Sequence, residues 1–161
     1  MNYRTKMIYT YPNQENFISI LAHELTHIIF REYLGRQNLP LWLDEGVAMY
    51  VERKYTNLTY QGLDQQMEDK IKKANFIAFK KLMNINAQEL QSKPTTYVNL
   101  FYLQSFSLIN FMVERYQKHN FSRFLWNLKN ENNVERALSK TYYQLKNIDE
   151  FEKRWKKFYL N

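Results

Sequence analysis

The 161-residue sequence contains no cysteine. That absence excludes disulfides, thiolate nucleophiles and cysteine-held zinc. Glycine and proline are scarce, at three each, and no repeat or low-complexity tract interrupts the chain. A sequence so poor in backbone punctuation is expected to be mostly helical. No apolar run approaches the ~20 residues that a membrane-spanning helix needs. Met1 to Pro12 hold no apolar stretch long enough for a signal peptide. Two readings of compartment follow: a protein that works inside the cell, or a piece excised from a longer exported or membrane-anchored chain.

What is present is a core. Apolar residues make up 45% of the chain and aromatic residues 17%, a composition that argues against disorder. The length fits a single domain covering residues 1–161. Lys and Arg number 23 against 16 Asp and Glu, for a formal charge of +7. The basic residues are spread out, with short clusters such as Lys70, Lys72, Lys73 and Arg154, Lys156, Lys157. A nucleic-acid footprint would be concentrated on one face. The charge therefore reads as a solvated surface, and no nucleic-acid partner is expected.

Local patterning gives the elements. Lys6 to Tyr11 alternate and are β-prone, which predicts one short strand ending at Pro12. Asn13 can cap a helix from about Gln14 to Leu34, stopped by Gly35. Arg36 to Pro40 form a loop before a second helix, from about Leu41 to Lys54. A further loop lies around Thr56 to Leu63, and a helix is expected over Asp64 to Ala74. Phe76 to Gln91 read as short helices joined by turns, with a break at Ser92-Lys93-Pro94. A long helix from about Tyr97 to Gln117 follows, then Phe121 to Lys129, Asn133 to Tyr142 and Ile148 to Tyr159. Phe151, Trp155 and Phe158 recur at helical spacing, as core residues do. The expected class is mainly α, strictly α+β: a helical bundle with a small N-terminal β element. Residues 1–54 form one part and 64–161 a helical C-terminal part.

Two of the three histidines stand in His23-Glu24-Leu25-Thr26-His27, the pattern H-E-x-x-H. Residues on a helix advance about 100° each, so His27 lies about 40° round from His23 and one turn along. Both imidazoles can meet one ion. Glu24 falls about 60° from His27, beside the ion and within reach of a bound water. Ile18, Leu21, Leu25, Ile28 and Ile29 fall on the opposite arc and are expected to form this helix's core face.

Catalytic zinc usually takes three protein ligands and one water. His119 sits in what reads as an exposed helix end. The best third candidate is Glu45, within Leu39-Pro40-Leu41-Trp42-Leu43-Asp44-Glu45-Gly46-Val47-Ala48-Met49-Tyr50. The interval after His27 leaves room for one helix to end and a second to return. Gly46 and Ala48 are small enough to let the two helices approach closely. Asp44 and Glu52 are possible partners orienting His23 or His27, although surface ion pairs are the commoner role for such residues.

His23-Glu24-Leu25-Thr26-His27 followed by Pro40 to Tyr50 resembles the gluzincin metallopeptidases, in particular the peptidase MA-like group. Phe101 to Ser107 is similar to the group's segment after the zinc site, and Ile148 to Trp155 to its closing helix. The resemblance implies a zincin-like core with one Zn2+ per chain, held by His23, His27 and Glu45. It implies peptide hydrolysis, with a peptide or protein as substrate and Glu24 as the general base that activates water. Such sites usually add an oxyanion donor, for which Tyr102 is the first choice and Tyr97 the second. Related peptidases usually carry several strands before the zinc helix, and this chain has room for one or two. The competing readings are a catalytically inactive zinc-binding domain used for protein interaction, a basic nucleic-acid binder, and a zinc hydrolase acting on a non-peptide amide.

Overall fold

The computed structural model describes residues 17–35, 39–55 and 63–160. About 81% of these are helical, with no strand among them. The strand expected over Lys6 to Tyr11 and the Asn13 cap lie outside the described residues.

The helices are α1 (Phe17–Leu34), α2 (Leu41–Tyr55), α3 (Leu63–Lys72), α4 (Phe79–Leu82), α5 (Ala87–Gln91), α6 (Thr95–Tyr116), α7 (Lys118–Glu131), α8 (Val134–Thr141) and α9 (Ile148–Leu160). Their ends carry the expected local chemistry. Gly35 follows α1 at φ 81°, a left-handed conformation that glycine adopts without penalty. Pro40 opens α2, its carbonyl accepting the amides of Leu43 and Asp44. Asn86 and Asn133 cap α5 and α8 by accepting the amides of Glu89 and Arg136, each satisfying one orphan donor of a first turn.

The central element is α6, which packs against α2, α3, α7 and α9. One polar chain crosses the apolar core and fixes its partners. Gln104, fully buried on α6, accepts the Ile77 amide at 2.8 Å and donates to the Ile77 carbonyl at 2.6 Å. Trp155 Nε1 donates to Ser107 Oγ at 3.0 Å, and the Tyr159 hydroxyl donates to the Ser107 carbonyl at 3.0 Å. Phe79, Phe111, Phe151 and Trp155 complete the aromatic centre of the core. The aromatic positions Phe151 and Trp155 are thus core residues, as their spacing predicts.

The orientation of α1 corrects the sequence expectation. Ile18, Leu25 and Ile29 are exposed, at 64%, 42% and 65%, and Leu21 and Ile28 are only half-buried. The buried positions are Ser19, Thr26, His27, Phe30 and Leu34. Helical periodicity identifies the apolar arc but not the arc that faces a neighbour. Here α1 meets α2 through the face that carries the histidines, because α2 supplies partners for their polar atoms.

Candidate metal centre

Two successive helices build the site. His23 and His27 project from one face of α1, with ring centroids 4.8 Å apart and planes at 75°. Glu45 stands in the first turn and a half of α2. The close α2–α6 packing beside it depends on Gly46. A Cβ there would lie 2.6 Å from the Ser105 carbonyl oxygen and 2.8 Å from Ile109 Cγ1. Trp42, Leu43 and Ala48, all fully buried, seat the same helix in the core.

The inner nitrogens of both rings face the same carboxylate oxygen. Glu45 Oε2 lies 3.6 Å from His23 Nε2 and 3.6 Å from His27 Nε2. The three donor atoms all fall within 4.8 Å of one another. A separation of 3.6 Å exceeds hydrogen-bonding distance. It fits the edge of a coordination polyhedron, since two ligands bound at about 2.1 Å and a tetrahedral angle lie about 3.4 Å apart. Two imidazoles and one carboxylate are also a donor set that catalytic zinc takes, with a fourth position left for water.

Further carboxylates face the outer nitrogens. His23 Nδ1 is 2.9 Å from Glu52 Oε2. His27 Nδ1 is 2.9 Å from Asp44 Oδ1, although off the line of a straight hydrogen bond. Arg31 grips the other Asp44 oxygen, through Nε at 3.0 Å and through Nη2. Burial alone would lower the pKa of His23. The nearby charges of Glu45 and Glu52, with the Glu52 hydrogen bond, outweigh it and push the value up to about 9. A negative field that favours a proton at this ring favours a dication for the same reason. Asp44 is 2% exposed. Burial would raise its pKa, but His27 and Arg31 together hold it below the ordinary carboxylate range.

The remaining candidates separate. Glu24 is half-buried on α1, next to His23. Tyr102 is half-buried on α6, one turn before Ser105, with its ring edge-on to Phe101. Tyr97 is flanked by Lys81 and Lys93, with their Nζ atoms 5.4 and 5.9 Å from its ring centre. His119 is exposed at the start of α7 and takes no part in the donor group. Arg31 was missing from the sequence reading. Its signal was its spacing: it follows His27 by the same four residues that separate His27 from His23, which puts all three side by side on one helix face.

A family model described as Peptidase MA superfamily matches residues 13–161. The chain belongs to the peptidase MA superfamily. No curated protein and no solved structure matches it. Membership makes this a peptidase-like domain of a zincin-type superfamily, and the matched span contains every candidate site residue. No described helix of this peptidase MA member is long and apolar enough to cross a membrane.

Proposed function

We propose that this peptidase MA member is a zinc-dependent metallopeptidase acting within a single domain, with His23, His27 and Glu45 as the metal ligands. The supporting observation is the shared 3.6 Å approach of two Nε2 atoms to one Glu45 oxygen. When bound, zinc lowers the pKa of water and polarises a peptide carbonyl. Glu24 then has two duties in sequence: it accepts a proton from the attacking water and returns it to the leaving amine. Tyr102 is assigned as a hydrogen-bond donor to the oxyanion that develops on the carbonyl. The substrate class is a peptide or unstructured protein.

The experiment is metal analysis and peptide-library turnover on the same preparations. Wild-type protein is expected to hold close to one zinc per chain and to cleave. His23→Ala and Glu45→Gln should lower the zinc content. Glu24→Gln should retain zinc and lose roughly 10²–10⁴-fold in rate. Loss of zinc in Glu24→Gln would overturn the assignment of roles. Stoichiometric zinc without turnover in the wild type would favour the non-catalytic binding domain.

A further inference from the structure

Each candidate ligand histidine is gripped from behind as well as aimed forward, and the two grips come from different places in the sequence. Glu52 meets His23 Nδ1 two turns beyond Glu45 on α2. Asp44 meets His27 Nδ1 from the residue immediately before Glu45. Asp44 is itself held by the Arg31 guanidinium, from one turn beyond His27 on α1. The contacts close a loop across the helix pair: Arg31 to Asp44 to His27, and back along α1 to Arg31.

The chemistry of these contacts sets more than packing. An imidazole beside a carboxylate at Nδ1 keeps its proton there, so the lone pair available to a cation is the one on Nε2. Both rings then present the same nitrogen to the same point. A carboxylate as buried as Asp44 is costly unless it is paired, and its pairing uses both oxygens: one toward His27, the other toward Arg31. Arg31 fixes the rotation of the carboxylate and so holds its other oxygen 2.9 Å from His27 Nδ1.

Building on the zinc-site reading above, we propose that Glu52 and the Arg31–Asp44 pair are positioning residues for His23 and His27. They set tautomer and ring plane so that both Nε2 atoms converge beside Glu45. Arg31 acts on the site through Asp44.

The test is cobalt(II) titration of the full chain, read by the visible ligand-field spectrum and by competition with a chelator, alongside thermal melting. Wild-type protein is expected to give one tetrahedral cobalt site per chain. Glu52→Ala and Arg31→Ala should each weaken cobalt binding by about 10–100-fold and alter the spectrum. Glu52→Gln, which keeps an acceptor for Nδ1–H, should recover part of the affinity. Because Asp44 is buried, Asp44→Ala can fail to fold; Arg31 and Glu52 are only half-buried, and their variants carry the decision. Variants that melt lower yet bind cobalt with wild-type affinity and spectrum would reduce these residues to structural ion pairs and overturn the proposal. Wild-type protein that binds no cobalt would instead overturn the metal reading itself, and the positioning role with it.

Discussion

Tyr142 buries a hydroxyl that has no hydrogen-bond partner among the described residues. Burial, with Tyr116 nearby, pushes its pKa well above the ordinary tyrosine value. The folded protein therefore keeps this phenol neutral at pH values where the unfolded chain ionises it. The resulting stability is fully present below about pH 10 and declines as pH rises further. Tyr142→Phe should leave stability at pH 7 unchanged or raise it by up to about 1 kcal/mol. It should also flatten the alkaline fall, as measured by melting temperature between pH 8 and 11. Legibility at this scale followed distance along the chain. The pairing of His23 with His27 was readable because five adjacent residues define its geometry. Arg31 was not, because its partner Asp44 is 13 positions away and becomes adjacent only once α1 and α2 are packed.

Two helix ends were readable for the same local reason: Gly35 and Pro40 each act within one turn of where they stand. The expected break at Ser92-Lys93-Pro94 falls between α5 and α6. The inward face of α1 was not readable, since its polar side is buried only by virtue of partners on α2. Gln104 shows how one buried polar side chain can join elements. It satisfies both backbone groups of Ile77 and ties the turn before α4 to α6. Gln104→Leu would leave that amide and carbonyl unpaired in the core, at roughly 1–3 kcal/mol for each unsatisfied group. The expected result is a lower denaturant midpoint, with early loss of amide protection at Ile77 relative to α6. Equal midpoints for variant and wild type would contradict it.

For the molecule as a whole, family membership and helical class were both legible, the first from His23 to Tyr50 and the second from the scarcity of glycine and proline. The role of α6 as the hub was not, because helix pairing depends on contacts between distant segments. If α1 and α2 are joined by a shared cation, metal and fold are thermodynamically linked. Zinc at 100 times its dissociation constant should stabilise the protein by about 2.7 kcal/mol, seen as a rise in melting temperature that a chelator reverses. His27→Ala should abolish the shift. A wild-type melting curve indifferent to zinc would argue against a folded-state site.

Gly46 bears on where the Glu45 carboxylate is placed. By letting the α2 backbone rest against the Ser105 carbonyl, it seats Glu45 on a helix docked to α6, while His23 and His27 ride on α1. A side chain at position 46 would lever α2 off α6 and carry the Glu45 carboxylate with it. The 3.6 Å reach from that carboxylate to each imidazole is in this sense set from the α6 side of α2, by a residue with no side chain of its own.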